Sequence, residues 1–284
     1  GQVPDCWGNN YFDDTYFRNN DPEPCKGYCT DIWFDEGMKF IERNRDNPLF
    51  CMISTNAPHW PYLVEERYAS PYRDNDDVLC AEFYGMVANI DENFGRLMNH
   101  LDTLGLTDDT ILIFMTDNGT DRAASFNGEK GWNGGMRGAK GSYYDGGHRV
   151  PFLAHWPNGG WKEGREIDAL ISHIDLFPTL IDICNLPTPE QVCFDGINVA
   201  PLLRGEIQEL PERFIFVYNH QSHLPPKKWN NAVLYGPWRL VHGKELYNIE
   251  KDSAQRNNVA DQYPEIVEQL RSAHQTWWEE ISPQ

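Results

Sequence analysis

The segment 110–119, Thr-Ile-Leu-Ile-Phe-Met-Thr-Asp-Asn-Gly, constrains the fold of this chain more than any other stretch. An unbroken apolar run of this kind is typical of a strand that helices cover on both faces. In open α/β sheets the ligand crevice lies beyond the carboxyl ends of the strands. The segment therefore predicts a buried strand that carries Asp117 and Asn118 to a functional edge of a sheet.

The side chains of Asp117 and Asn118 offer a carboxylate and an amide carbonyl next to each other. Oxygen ligands of this kind suit Ca²⁺, or less readily Mg²⁺, rather than zinc. A second interpretation is structural, because Asp, Asn and Gly also favour tight turns. This segment alone leaves both interpretations open.

A second motif follows at residues 136–151, Met-Arg-Gly-Ala-Lys-Gly-Ser-Tyr-Tyr-Asp-Gly-Gly-His-Arg-Val-Pro, and leads into an apolar strand that ends in Trp-Pro. Together with the Thr-Asp-Asn-Gly segment, this order of motifs resembles the second signature region of the sulfatase family. The resemblance implies that Asp117 and Asn118 match two calcium ligands. It also implies that Lys140 matches the lysine that binds the sulfate group.

Residues 49–55, Leu-Phe-Cys-Met-Ile-Ser-Thr, predict a second buried strand, and the polar segment 56–61 follows it. His59 in that segment resembles the histidine of a sulfatase Pro-His-x-Pro loop. The resemblance implies that His59 contacts the sulfate and protonates the leaving oxygen. The alternative is an ordinary exposed loop histidine without a catalytic role.

The composition limits the partners of the chain. Its 24 basic and 43 acidic residues give a formal charge of -19, which would repel a phosphate backbone, so nucleic acid is not expected as a main partner. An anionic substrate would need a local basic site. No apolar run reaches the length of a membrane span and no signal peptide is recognisable. The resemblance nevertheless implies a periplasmic or secreted location.

The order of predicted elements indicates an α/β fold with a mostly parallel sheet between helices, of the alkaline-phosphatase-like type that the resemblance implies. A long amphipathic helix is predicted over 78–104. Residues 1–204 are expected to form the later part of the catalytic domain. Residues 205–284 are expected to form a small C-terminal subdomain with four antiparallel strands, at 214–218, 231–235, 238–241 and 245–249, and a terminal helix over 264–280.

Histidines and cysteines outside these motifs have simpler interpretations. His173 and Asp175 are expected to cap a helix rather than bind a metal. Seven cysteines without a zinc-type spacing make a zinc site improbable. Two local pairs, Cys25 with Cys29 and Cys184 with Cys193, are compatible with disulfides, whereas Cys51 and Cys80 are expected to be buried thiols.

Aromatic side chains near the second motif favour a sugar as the group that carries the sulfate. Trp132, with Tyr143 and Tyr144, offers flat faces to a sugar or an aryl group, and His148 is a further candidate for substrate binding. The alternative is that these aromatic rings pack beneath the loop. A sulfated carbohydrate is the preferred substrate class, and small aryl sulfates remain open.

The nucleophile expected of a sulfatase is missing from this sequence. That nucleophile is a formylglycine made from Cys or Ser in a Cys/Ser-x-Pro/Ala-x-Arg context, and no Cys or Ser here lies in such a context. The resemblance therefore covers only the later part of a sulfatase, and this chain by itself is expected to be inactive. Two other functions stay open, a phospho- or phosphono-ester hydrolase of the same superfamily and a non-catalytic protein that binds sulfated glycans.

Overall fold

The computed structural model describes residues 10–121, 125–126, 130–161, 164–188, 190–219 and 227–282, with only the backbone of residues 125, 126 and 130. These residues fall into two compact units. The first unit comprises Gly1–Thr110 and Asp121–Trp132, and the second comprises Ile111–Thr120 and Asn133–Gln284. The predicted domain boundary near residue 204 stays a prediction.

The first unit consists mainly of helices. Its elements in chain order are strands β1 (Thr15–Arg18) and β2 (Asp21–Pro24), helices α1 (Cys29–Asn44), α2 (Glu66–Arg73) and α3 (Ala81–Thr103), and, after β3 of the second unit, the two-residue strands β4 (Ser125–Phe126) and β5 (Lys130–Gly131). β1 pairs with β2, and β4 pairs with β5, both antiparallel.

The long helix predicted over 78–104 is confirmed as α3. Phe83, Leu97 and Leu101 of its apolar stripe are buried, whereas Val87 and Met98 are exposed. Two buried amides lie on the same helix, and both Asn89 and Asn93 donate hydrogen bonds to Oδ1 of Asp31 on α1, at 2.9 and 2.7 Å. These bonds satisfy polar groups that would otherwise be costly to bury.

The prediction of a buried strand over 49–55 is wrong. The described backbone there forms no strand, and the side chains of Phe50 and Met52 are 74% and 75% exposed. A strand needs a neighbour to accept its hydrogen bonds, and an apolar run alone does not supply one. The segment 62–77 that follows contains α2, which tolerates Pro71 inside it.

The second unit contains two sheets and four helices among the residues that the structure describes. Its elements in chain order are β3 (Leu112–Met115), α4 (Asp145–His148), β6 (Phe152–His155), α5 (Leu176–Ile183), α6 (Ala200–Arg204), β7 (Phe214–Tyr218), β8 (Asn231–Tyr235), β9 (Trp238–Val241), β10 (Glu245–Asn248) and α7 (Pro264–Ile281). β3 pairs antiparallel with β6, with Leu112 opposite His155.

The four C-terminal strands and the last helix agree with the prediction to within one residue at each end. The strands form an antiparallel sheet in the order β10-β9-β8-β7. One face packs against α7 through Leu240, Leu246 and Leu270. The other face packs against Tyr143 and Tyr144 from the second sequence motif.

The expectation that Asp175 caps a helix is confirmed. Its carboxylate accepts hydrogen bonds from the backbone N–H of Ser172 at 2.7 Å and of Ile197 at 2.9 Å. Asp175 is also buried and paired with Arg213 at 2.5 Å, which helps to hold the pKa of its carboxyl below the ordinary value despite burial. The residue therefore has a structural role.

Two further expectations concerned disulfide bonds and membrane-spanning helices. Six cysteines lie in the described part of the chain and all are free thiols, so neither Cys25 with Cys29 nor Cys184 with Cys193 forms a disulfide in this structure. Cys51 and Cys80 are half-buried rather than buried. No helix in the described ranges has the length and apolarity to cross a membrane.

His274 of α7 makes the stability of the second unit sensitive to acid. It is fully buried, stacked on Trp229 at 4.1 Å between ring centroids and hydrogen-bonded to Asn231. Burial, with a smaller effect of the Lys228 charge, lowers its pKa to about 4. The folded protein therefore binds a proton at His274 more weakly than the unfolded chain does. The contribution of His274 to stability is fully present above pH 6.5 and is lost as the pH falls towards 4.

We therefore expect the free energy of unfolding to fall by up to about 3 kcal/mol between pH 6.5 and pH 4 through His274 alone. The measurement is urea unfolding as a function of pH for the wild type and for His274→Phe, which keeps an aromatic ring without a titrating group. The variant should show a shallower dependence in that window. Parallel curves would contradict the assignment to His274.

Candidate functional site

The residues that follow β3 lie on the surface of the second unit. Asp117 is exposed and Asn118 is partly exposed, so both side chains are accessible to a ligand. Thr116 donates a hydrogen bond from Oγ1 to the carbonyl of Asn118 at 3.2 Å, which shapes the turn. The backbone N–H of Gly119 donates to the carbonyl of Gly147 at 3.0 Å, so the turn is tied to α4.

Three glycines make this contact possible because their backbones touch each other or neighbouring carbonyls. A Cβ on Gly119 would lie 2.0 Å from the carbonyl oxygen of Gly146. A Cβ on Gly147 would lie 2.1 Å from the carbonyl oxygen of Ser142. Such distances exclude any side chain, so the glycines of both motifs serve close packing.

Lys140 is brought to the same turn by a backbone hydrogen bond. Its N–H donates to the carbonyl of Thr120 at 2.8 Å, while its side chain is exposed. Asp117, Asn118 and Lys140 therefore lie on two segments joined by direct backbone contacts. One segment carries side-chain oxygens and the other carries an exposed cationic side chain.

A buried ion pair anchors the segment that carries Lys140. Asp145 at the start of α4 is 1% exposed, and its Oδ1 lies 3.2 Å from Nε of Arg239 on β9, which is 5% exposed. The backbone N–H of Asp145 donates to Oε1 of Gln255 at 2.7 Å. The C-terminal sheet therefore holds the base of the loop on which Lys140 lies.

The tyrosines of the second motif pack against the C-terminal sheet. The guanidinium of Arg137 lies 3.8 Å above the ring of Tyr144 and donates hydrogen bonds to Oη of Tyr247 and to the carbonyl of Gln255, both at 3.0 Å. Tyr143 packs against the same sheet. This agrees with the alternative interpretation, in which these rings lie beneath the loop.

His148 is less accessible than the sequence led us to expect. Its side chain is 15% exposed, and its Nε2 lies 3.9 Å from Oδ1 of Asp145 without a hydrogen-bond partner in the described structure. Burial lowers the pKa of the imidazole, with the Asp145 carboxylate acting in the opposite direction. A role of His148 in substrate binding stays a prediction.

His59 lies in the first unit on a loop that is held by three hydrogen bonds. Its N–H donates to the carbonyl of Asn56 at 2.9 Å, and its carbonyl accepts from Oη of Tyr11 at 2.6 Å. Nδ1 lies 2.7 Å from the carbonyl oxygen of Trp60. Because a carbonyl only accepts, Nδ1 carries a proton, and Nε2 is the nitrogen left to exchange one with a substrate.

Two tryptophans of the first unit are exposed, which fits contact with a ligand. Trp60 next to His59 is 63% exposed and Trp132 is 74% exposed. The backbone N–H of Trp132 donates to Oη of Tyr84 on α3 at 3.2 Å, so the position of its backbone is defined. An exposed indole of this kind is suited to stacking on a sugar ring.

The side chains of this chain offer only some of the ligands that a calcium ion takes. Among the described residues no three His, Cys, Asp or Glu side chains cluster as a metal site would require. Asp117 and Asn118 supply oxygen only, which fits Ca²⁺, but they are two ligands where the ion takes six to eight. These residues fit a part of a calcium site.

A family model described as Sulfatase matches residues 3–186, and a second one, described as N-sulphoglucosamine sulphohydrolase, C-terminal, matches residues 128–279. The chain belongs to the sulfatase family. The match confirms the resemblance that the Thr-Asp-Asn-Gly and Arg-Gly-Ala-Lys-Gly motifs indicated.

The sulfatase chain is similar to proteins from bacteria and animals. It is 30% identical over 271 residues to N-acetylgalactosamine-6-O-sulfatase of Bacteroides thetaiotaomicron, a match that covers 84% of this chain and 49% of the relative. It is 31% identical over 217 residues to human steryl-sulfatase, which covers 75% of this chain and 36% of the relative. The chain thus spans about half or less of these relatives.

Solved structures confirm the fold class of this sulfatase. Ps i-CgsB in complex with k-i-k-neocarrahexaose superimposes with a TM-score of 0.80 at 26% identity, covering 91% of this chain and 56% of the other. A protein in complex with its substrate D-glucosamine-2-N,6-O-disulfate gives a TM-score of 0.75 at 18% identity, covering 95% and 73%. The predicted alkaline-phosphatase-like fold class is therefore confirmed, while all strand pairings among the described residues of this chain are antiparallel rather than mostly parallel.

The predicted site residues are divided between the two units. Asp117, Asn118, Lys140 and His148 lie in the second unit, whereas His59 and Trp132 lie in the first. Sequence reasoning missed the pairing of Asp145 with Arg239 and the hydrogen bond from Tyr11 to His59. No local sequence pattern joins residues so far apart. The catalytic, metal and substrate roles of the predicted residues remain predictions.

Proposed function

We propose that the protein containing this chain hydrolyses sulfate esters of carbohydrates by a calcium-dependent formylglycine mechanism. The observation that carries this proposal is the backbone contact that joins the Asp117–Asn118 turn to the Lys140 loop. It puts side-chain oxygens and an exposed ammonium group on adjoining segments, as recognition of a cation and a sulfate requires. The formylglycine is expected in a part of the protein outside these 284 residues.

In this proposal each residue has a separate task. Asp117 and Asn118 hold Ca²⁺, which when bound would neutralise charge on the sulfate oxygens. Lys140 binds the sulfate through its ammonium group and compensates locally for the acidic surface of the chain. His59, with Nδ1 fixed on the carbonyl of Trp60, gives a proton from Nε2 to the leaving oxygen. Trp132 stacks on the sugar.

The test is steady-state kinetics of the complete gene product on sulfated oligosaccharides, 4-nitrophenyl sulfate and 4-nitrophenyl phosphate. We expect turnover of the sulfate esters, and none by the 284-residue chain assayed alone. Preference for the phosphate ester would favour a phosphoester hydrolase instead. Binding of sulfated glycan without turnover would favour a non-catalytic protein.

Variants of Lys140 and His59 then test the assignment of roles. Lys140→Ala should weaken substrate binding and lower kcat/KM, because the ammonium group contacts the sulfate before and during reaction. His59→Ala should lower kcat by about 10²- to 10⁴-fold, as loss of a general acid does. The controls are Lys251→Ala and His173→Ala, which remove exposed residues of the same types elsewhere in the chain. Equal losses in the controls would contradict the assignment.

A further inference from the structure

Tyr11 links the first described residues of the chain to the loop that carries His59. Its side chain is 1% exposed, and its Oη donates a hydrogen bond of 2.6 Å to the carbonyl oxygen of His59, 48 residues away. Its own backbone carbonyl accepts from the N–H of Cys29 at 2.8 Å, at the start of α1. The phenol is thus held by the core of the first unit and points at the peptide of His59.

Burial raises the pKa of the Tyr11 phenol well above its ordinary value. The phenol therefore keeps its proton and remains a donor across the whole working range of pH. The other two hydrogen bonds of His59 are made to Asn56 and Trp60 within its own loop. Tyr11 supplies the bond that reaches the His59 peptide from outside the loop, whereas Nε1 of Trp33 on α1 holds the same loop three residues earlier, at Oδ1 of Asn56.

We propose that Tyr11 is a positioning residue that aims the imidazole of His59 at the substrate. The proposal rests on the proposed function, in which His59 protonates the leaving oxygen. The bond to the carbonyl limits rotation of the His59 peptide, and the contact of Nδ1 with the carbonyl of Trp60 then keeps Nε2 in one direction. Loss of the phenol hydroxyl would free that rotation, and a displacement of about 1 Å at a reacting group is enough for a 100-fold loss of rate.

Tyr28, the residue directly before α1, offers a matched control because its hydroxyl also bonds to a backbone carbonyl close to His59. It is 2% exposed, stacks on Tyr11 with ring centroids 5.9 Å apart, and donates from Oη to the carbonyl of Leu63 at 2.9 Å. Tyr28→Phe therefore removes the same kind of hydrogen bond from the same core, four residues beyond His59. Both variants should lose similar stability, since each leaves one carbonyl without its buried donor.

The experiment compares Tyr11→Phe, Tyr28→Phe and His59→Ala of the complete gene product on two substrates. 4-Nitrophenyl sulfate releases a stable phenolate and needs little protonation, whereas a sulfated sugar releases an alkoxide and depends on the acid. Tyr11→Phe should lower kcat for the sugar about 10- to 100-fold with little change in KM, and should affect the nitrophenyl ester much less. Tyr28→Phe should leave kcat for both substrates within about two-fold. Thermal melting should show that Tyr11→Phe and Tyr28→Phe are destabilised equally.

The outcomes separate this inference from the proposed function. If His59→Ala loses sugar turnover selectively but Tyr11→Phe behaves like Tyr28→Phe, Tyr11 is merely structural and the inference is overturned while His59 remains the acid. If His59→Ala lowers kcat equally for both substrates, or for neither, the acid role itself is wrong and the inference fails with it. Selective loss in both His59→Ala and Tyr11→Phe, with Tyr28→Phe unaffected, supports the inference.

Discussion

Replacing Arg239 with methionine is expected to lower the free energy of unfolding by about 3–5 kcal/mol, because the carboxylate of Asp145 would remain buried without its partner. Asp145 also lies 3.9 Å from both His148 and Arg149, but neither contact has the distance of a hydrogen bond. Little would therefore replace the lost guanidinium. Urea unfolding of the variant and the wild type measures the difference.

An exposed ion pair with shorter distances provides the control for this prediction. Arg73 lies 2.6 Å from Glu66 at the ends of α2, and both side chains are largely accessible to water. Arg73→Met should have a much smaller effect than Arg239→Met, since water replaces the lost partner. The double variant Asp145→Asn, Arg239→Met should recover part of the loss. Similar losses at Arg239 and Arg73 would show that burial does not decide the strength of these pairs.

Replacing Asp117 with alanine is expected to weaken Ca²⁺ binding by the complete gene product by about two orders of magnitude or more, and to abolish sulfate ester hydrolysis with it. The physical reason is that affinity for Ca²⁺ depends on the number and charge of its oxygen ligands, and Asp117 contributes the charged one of the pair. The side chain is exposed, so the fold should survive the change. Isothermal titration calorimetry with Ca²⁺ measures the affinity.

Asp108 is the matched control for Asp117. It is an exposed carboxylate just before β3, whereas Asp117 lies just after that strand. Asp108→Ala changes the net charge by the same amount without touching the proposed ligands. Unchanged Ca²⁺ affinity in Asp117→Ala, or an equal loss in Asp108→Ala, would remove the calcium proposal.

The sequence predicted elements well where their hydrogen-bond partners are near in the chain. The strands β8 and β9 were predicted at their observed positions because only the turn at Gly236 separates them, and each is the neighbour of the other. The segment 49–55 has equally apolar residues but no such neighbour, so its prediction as a strand was wrong. Periodicity identifies residues that can form a strand, and pairing decides whether they do.

In the candidate site, too, the sequence predicts the residues that carry the chemistry but not the distant residues that position them. The residue types at Asp117, Asn118 and Lys140 indicate a cation and an anion from the sequence alone, because chemistry follows directly from side-chain type. The groups that hold these residues in place, such as Arg239, act across 94 residues of intervening chain. Only the folded chain brings such distant groups together, so no local pattern of residues predicts them.

The contact between the Asn118–Gly119 turn and α4 also determines how this part of the protein can evolve. With 2.0 Å between a hypothetical Cβ of Gly119 and the carbonyl of Gly146, even the smallest substitution requires two backbone segments to separate. Substitution by alanine or serine is therefore excluded at these positions unless the backbone moves. We expect changes in ligand preference to arise instead at exposed side chains, such as Trp132 of the first unit, which can be exchanged without moving the backbone.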